Sequence, residues 1–238
     1  MTSDEMDRLG RQLARHQALH DPAREPRSAL RWLPELRRWQ AGRLERSFRH
    51  FLHDPRRAPA AEFFLGDVYG DRDFTRRDAD IARVIPMMRR LLPKTLLATV
   101  ADAIELGALT QALDLDMAET LGALAPRRRR LDAALYGEAY RVVGQRSGRS
   151  RQIALAGRVG RGFGNALQVP GVAALLAFSR GPARLAGLRE LQGFLERGYA
   201  AFEALDDADA FMAEIERDEA LASRRLFDGD PDPFRAGD

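Results

Sequence analysis

The sequence predicts an all-α protein, an irregular bundle of roughly eight to ten helices. Apolar residues recur at spacings of three and four along most of the chain, strand-like alternation is almost absent, and prolines and glycines divide the 238 residues into helix-sized segments. A hydrophobic content of 45% is enough for a core without disulfides or metal. We expect one domain over residues 1–227, followed by a flexible C-terminal tail over residues 228–238.

The first quarter of the chain predicts two helices separated by a loop. Ser3 is a suitable cap for a helix that reaches His20. The segment DPAREPRS contains two prolines and is typical of a loop. Pro34 then fits the first turn of a long helix, whose apolar residues lie on one broad face. The segment DPRRAP is expected to break that helix near Asp54.

The second quarter predicts short helical pieces followed by a strong helix. Ala61–Tyr69 is a short predicted helix, which the following glycine ends. Thr75 and Asp78 have the spacing of a capping box and start another helix, which two prolines then interrupt. Lys94–Leu113 is strongly helical, and Asp116–Leu124 is expected to be a separate, shorter helix.

The second half predicts five further helices. One begins near Leu131, and two more follow over Gln152–Gly164 and Val169–Arg180. Pro182 is expected to open the next, long helix. Asp207, or a neighbouring aspartate, is expected to cap the last one.

Glycines between residues 157 and 164 invite comparison with phosphate-binding loops. They fit neither G-x-G-x-x-G nor a Walker loop, and no predicted strand precedes them. Ala156, Gly160 and Gly164 are spaced by four, which places them on one side of a helix. We predict that these small residues let two helices approach closely.

Composition and charge exclude several classes of site. The chain has no cysteine, which removes disulfide scaffolds, thiolate zinc sites, iron–sulfur clusters and cysteine nucleophiles. No apolar signal region follows the N-terminus, and no run approaches the ~20 apolar residues of a membrane span. We therefore expect a cytoplasmic protein. The net charge of +3 hides a basic block at residues 126–202, net +10, and an acidic end at residues 203–238, net −8.

No complete catalytic or metal motif is present. The sequence has no G-x-S-x-G and no Glu-x-x-His of the di-iron bundles. His16 and His20 are four residues apart, and His50 and His53 are three apart. In a hairpin of the first two helices, however, the two pairs lie too far apart to share an ion. We predict no catalytic residue, no metal and no cofactor.

A specific polar constellation is most favoured in the stretch Glu62–Pro86, EFFLGDVYGDRDFTRRDADIARVIP. It combines bulky apolar residues, a Tyr-Gly break and closely spaced carboxylates and arginines. Two interpretations stay open: a charged network that fixes a sharp helix–helix junction, and a polar pocket or partner-binding surface built on that junction. The candidate residues are Asp67, Tyr69, Asp71, Asp73, Arg76, Arg77 and Asp78.

A second candidate is an anion-binding run of arginines, Arg127, Arg128, Arg129 and Arg130. The sequence places the run in the first turn of a helix, where cations oppose the helix dipole. Nearby anions would relieve this repulsion. They could be phosphates, or the acidic C-terminal quarter folded against the basic block. No helix-turn-helix or RNA-binding aromatic pattern accompanies the arginines, so the intramolecular interpretation is favoured.

The string FFLGDVYGDRDFTRRDADIARVIPMMRRLLP resembles a motif, FFLxDxYGxxDFxxRD, of an uncharacterised family of proteobacterial proteins. The pieces LYGEAYRVVG, RQIALAGRVG, RGPARLAGLRELQGFLERGYAAF and LFDGDPDPF are similar too, so the resemblance covers most of residues 35–234. It implies an all-helical cytoplasmic protein in one piece. It supplies no activity, cofactor or partner, and no functional residue is carried over.

We therefore expect a non-enzymatic protein with a structural, regulatory or protein-interaction role, acting through a protein partner or self-association. Two alternatives stay open. A helical bundle can hold an apolar small molecule or pigment between its helices. The arginine-rich 126–202 block can bind nucleic acid, which predicts retention on heparin with a steep salt dependence.

Overall fold

The computed structural model describes residues 3–68, 94–185 and 189–235, and these residues form ten α-helices and no strand. The predicted all-α fold is confirmed. The helices are α1 (Ser3–His20), α2 (Trp32–Ser47), α3 (Arg49–Leu52), α4 (Ala58–Phe63), α5 (Lys94–Leu124), α6 (Ala133–Val143), α7 (Arg146–Leu167), α8 (Val172–Leu185), α9 (Arg189–Glu203) and α10 (Ala208–Asp228). A 3-10 helix, Pro26–Ala29, precedes α2, and a π-helical turn, Phe64–Val68, continues α4.

Helix α5 is the centre of the bundle and packs against α1, α2, α6 and α7. It runs unbroken for 31 residues, so the predicted break between Leu113 and Asp116 is wrong. The aspartates there do not cap a new helix, because they are engaged by other elements. Asp114 accepts a hydrogen bond of 3.1 Å from Gln40, and Asp116 pairs with Arg27 at 2.9 Å.

Most of α5 is also strongly apolar. Leu96–Leu124 is long and apolar enough to cross a membrane, judged by length and composition alone. Neighbouring helices bury 44% of the window that meets this criterion, and the core helix of a folded bundle meets it as well. Helices α7 and α8 meet the same criterion of length and composition only when they are taken together, and the angle between them is 97°.

Helices α7 and α10 cross at a close approach that depends on small residues. A Cβ atom added at Gly160 would overlap the side chain of Met212, and one added at Gly164 would lie 2.8 Å from the Cβ of Ala208. The overlap at Gly160 and the 2.8 Å separation at Gly164 are both closer than atoms approach in close-packed interiors. The predicted role of these two glycines is confirmed, whereas Ala156 lies in a separate apolar cluster against α5.

The bundle has two main apolar cores. The first surrounds the C-terminal half of α5 together with α6, and it includes Trp32, Leu121 and Tyr136. The second lies between α3, α4, α9 and α10. Its buried aromatic residues are Phe48, Phe51, Phe63, Phe64, Phe202 and Phe211. Burial of each ring contributes roughly 1.5–3 kcal/mol, so this core anchors α4 and the π-helical turn firmly.

Helix α8 contains Pro182, which the sequence placed at the start of the next helix. That prediction is wrong, and α9 begins only at Arg189. A proline inside a helix removes one hydrogen bond and crowds the carbonyl four residues earlier, here that of Phe178. Because Phe178 lies on the exposed side of α8, water can reach that carbonyl and the helix continues.

The C-terminal end of the chain folds back on the first core. Asp207 caps α10 by accepting a backbone N–H of the first turn at 2.8 Å, as predicted, and Gly229 ends the helix with a φ of 76°. The ring of Phe234 then packs 5.7 Å from that of Trp39 and 6.2 Å from that of Tyr136. Residues up to Phe234 therefore contact the first core, and the division into a domain over residues 1–227 and a flexible tail over residues 228–238 stays a prediction.

Candidate functional site

Asp67, the first residue of the predicted polar junction, is buried and makes an ion pair with a half-exposed arginine. Its side chain leaves the π-helical turn and is held by Arg197 of α9, whose Nη2 lies 2.6 Å from Oδ1 and whose Nε lies 3.1 Å from Oδ2. This two-pronged contact joins the turn to a helix far along the chain, and the two interpretations of the Glu62–Pro86 stretch stay predictions. The remaining candidates, Tyr69, Asp71, Asp73, Arg76, Arg77 and Asp78, lie outside the described residues.

The arginine run Arg127–Arg130 lies in the connection between α5 and α6, where all four residues are exposed. Its predicted place in the first turn of a helix is wrong, because Asp132 is the residue that caps α6. The Asp132 carboxylate accepts the backbone N–H of Leu135 at 2.9 Å and pairs with Arg128 at 2.6 Å. These two contacts lower the pKa of Asp132.

The acidic last helix is paired with arginines from both halves of the chain. The pairs are Arg161–Glu216, Arg57–Glu214 and Arg43–Glu219. The acidic quarter was expected to fold against the basic block, and Arg161 of α7 meets that expectation. The other two arginines come from the first quarter, so α10 neutralises charge from both regions.

A buried polar network, which the sequence did not predict, lies between α2, α5 and α7. Its centre is Asp114, which is 4% exposed and accepts the hydrogen bond from Gln40 of α2. Burial raises the pKa of the Asp114 carboxyl, and the charge of Arg149 opposes this effect. Arg149 donates to Gln152 at 3.0 Å and lies over the ring of Tyr140, 4.8 Å from its centroid.

Tyr140 extends this network to α10. Its hydroxyl lies 2.8 Å from Oγ of Ser223, and burial raises the pKa of Tyr140 to about 12. At neutral pH the phenol is therefore protonated and cannot serve as a base for Ser223. Arg149 Nη2 and Arg43 Nε are buried donors without a hydrogen-bond partner among the described residues. The network is suited to fixing the register of five helices, not to activating a nucleophile.

A contrasting feature is an apolar stripe on the outer face of α8, formed by Leu175, Phe178 and Leu185. The three side chains are 43%, 81% and 91% exposed. Their spacing of three and seven places them on one side of the helix. The helix contacts α9 through other residues, since the hydroxyl of Ser179 and the carbonyl of Leu176 both make hydrogen bonds with Gln192.

A groove between α5 and α6 is the second apolar surface. It has a volume of about 360 Å³. Its lining residues are Asp116, Glu119, Thr120, Ala123, Leu124, Val142 and Val143. Among the described residues, the large hydrophobic side chains that are exposed all belong either to this groove, as Leu124 and Val142 do, or to the stripe of α8.

Comparison with known protein families gives one match. Residues 19–233 match the model of a domain of unknown function (DUF8198). The chain belongs to the DUF8198 family. No curated protein and no solved structure matches the chain.

The DUF8198 match extends from the end of α1 to the segment that folds back after α10. The predicted resemblance to an uncharacterised family is confirmed at this level. The buried network, the stripe of α8 and the groove all lie within the matched residues. The family description names no activity. The exposed surfaces of this DUF8198 chain are therefore the observations that bear on its function.

Proposed function

We propose that this protein acts by protein–protein interaction, not by catalysis, and that its partner is a second copy of the same chain. In this proposal the apolar stripe of α8 binds the groove between α5 and α6 of the next copy. The observation that carries it is the exposure of Phe178 and Leu185, at 81% and 91%, on a helix that packs mainly against α9.

An exposed stripe of this kind is costly unless it is covered. Removing apolar surface from water contributes about 25 cal/mol per Å², and contiguous exposed apolar patches commonly mark interaction sites. A stripe at spacings of three and seven is also the arrangement with which a helix enters a groove of a partner.

Charge complementarity favours the groove as the receiving surface. Helix α8 carries Arg184, together with Arg180, which pairs with Glu196 of α9, and it has no acidic residue. The groove carries Asp116 and Glu119, which share a single arginine, Arg27, at 2.9 and 3.4 Å. Arg27 also pairs with Glu25, so three carboxylates surround one guanidinium and this corner keeps net negative charge.

The proposed contact joins two different surfaces, so it is heterologous. Each copy that docks its stripe still offers its own groove, and assembly continues into open chains or closes into a ring. The two surfaces belong to different helix pairs, α8 with α9 and α5 with α6, so both remain available in every copy.

Nucleic-acid binding by the 126–202 block has less support. Several of its arginines already have acidic partners within the chain. The pairs are Arg151–Glu105, Arg158–Asp102, Arg161–Glu216 and Arg180–Glu196. These contacts neutralise much of the charge with which the block would attract phosphates.

The test uses two variants and analytical ultracentrifugation. The natural chain is expected to give species larger than a monomer, in proportions that increase with concentration. Phe178→Asp removes the stripe and Val142→Asp blocks the groove, so each variant alone is expected to be a monomer. Mixed together, they are expected to form a one-to-one dimer, because one intact stripe then meets one intact groove.

A matched control is Ala154→Asp, which places the same charge at an exposed position on α7 and is expected to assemble like the natural chain. A natural chain that stays monomeric over the whole concentration range would disprove self-association. If Phe178→Asp is monomeric while Val142→Asp still assembles, α8 pairs with α8 and the groove is not the receiving surface.

A further inference from the structure

One cluster of side chains outside the surfaces described above combines a histidine with two carboxylates. His50 lies on α3, and Glu214 and Asp218 lie four residues apart on α10, which places both on the same side of that helix. One ligand atom from each residue lies within 4.8 Å of the other two. The sequence paired His50 with His53, whereas the fold brings it to α10.

We propose that His50, Glu214 and Asp218 form a binding site for a zinc ion. His50 Nε2 lies 3.3 Å from Glu214 Oε1. Two ligands at about 2.0–2.1 Å from a tetrahedral zinc are separated by roughly 3.3–3.4 Å, so this pair already has the required spacing. Imidazole with carboxylate is a ligand set that zinc accepts.

Neighbouring residues orient two of the three ligands. Arg57 donates to Glu214 Oε2 at 2.9 Å, which leaves Oε1 directed at His50. The ring of Phe51 packs against His50, with centroids 3.9 Å apart, and the guanidinium of Arg57 lies 5.4 Å from the same ring. Partners of this kind fix the rotamers of metal ligands and raise the affinity of a site.

The Asp218 carboxylate also has an arginine neighbour. Arg217 Nη2 lies 3.1 Å from Oδ1 of Asp218. The His50 side chain is 47% exposed, so solvent zinc reaches the cluster and water completes the fourth position. A bound ion would tie α3 to α10 and stabilise the folded chain, since the unfolded chain does not hold the ligands together.

The site is tested by isothermal titration of zinc chloride into chelator-treated protein that carries no histidine tag. The natural chain is expected to bind one ion. His50→Ala is expected to weaken binding at least about tenfold, and Glu214→Gln should also weaken it while retaining an oxygen for Arg57. The control is His53→Ala, an exposed histidine on the same segment that is expected to leave the affinity unchanged.

A second measurement, the visible absorption of the cobalt(II) form, reports the ligand geometry. Tetrahedral bands are expected with the natural chain and should be lost in His50→Ala, while circular dichroism confirms that the variant is folded. Equal zinc affinity in the natural chain and His50→Ala would overturn the proposal, because binding would then involve other groups, such as His16 and His20. Absence of a binding signal with zinc in excess would overturn it as well.

Discussion

Asp114 is a polar residue in the interior of the protein, and Phe178 is an apolar residue on its surface. Each has the opposite exposure from the one usual for its residue type. The carboxyl group of Asp114 is 4% exposed, and its neighbour Arg149 is also buried, whereas the ring of Phe178 is 81% exposed. Around Asp114, polar groups from three helices meet one another. The stripe of α8 faces solvent. We infer that buried polar contacts set the register of the bundle, whereas the self-association proposal assigns the stripe to assembly and not to folding.

The largest effect is expected when the buried network loses its cation. Arg149→Ala removes the main charge that opposes the burial of the Asp114 carboxyl and leaves the weaker effect of Arg37. Removing one member of a buried charged network costs about 3–5 kcal/mol. We expect a matching decrease in the free energy of unfolding, measured with urea. The control is Arg151→Ala, two residues along the same helix, which removes an exposed partner of Glu105 and should cost about 0–1 kcal/mol. Equal losses in the two variants would contradict a structural role for the network.

A smaller effect, which depends on pH, is expected from Asp114→Asn. Burial raises the folded-state pKa of Asp114 above its ordinary value of 3.8, so the folded chain retains a proton that the unfolded chain releases. The contribution of this group to stability is therefore complete below about pH 3.8 and is lost as the pH rises through the folded-state pKa. The asparagine variant lacks this titration.

Urea unfolding at a series of pH values, starting below pH 3.8, measures the difference between the two chains. At the acidic end, the free energy of unfolding of the natural chain should be increased relative to that of Asp114→Asn. This difference should decrease as the pH rises. A difference that stays constant, or that increases with pH, would show that the Asp114 carboxyl is charged at no cost in the folded chain.

The elements of the fold that depend on local spacing were predictable. Gly160 and Gly164 are four residues apart in a helical segment, and their position at the crossing with α10 follows from that spacing. Asp207 precedes an apolar periodic segment and caps α10, as aspartate does at this position. In both cases the signal and the contact lie within a few residues.

The elements that depend on distant partners were not predictable. Asp114 has the residue type of a helix cap, but its actual partners are Gln40 on α2 and Arg149 on α7. Asp67 is held by Arg197, which is 130 positions later in the chain. A single sequence contains no periodicity that connects such positions, so the continuity of α5 and the buried network required the structure. The exposed stripe was not predictable either, because a helix that is apolar on more than one side, as α8 is, is usually buried.

The smallest effect on folding is expected at the stripe, where Leu185→Ala can be compared with the same substitution at Leu155. Leu155 is fully buried, and its truncation should cost about 2–5 kcal/mol. Leu185 is 91% exposed, so its truncation should change the free energy of unfolding by no more than about 0.5 kcal/mol. Ultracentrifugation should show the larger effect on assembly for Leu185→Ala, although this variant leaves the unfolding transition unchanged. Similar losses of stability at the two positions would mean that the stripe is part of the folded core. The exposure on which the self-association proposal rests would then no longer support it.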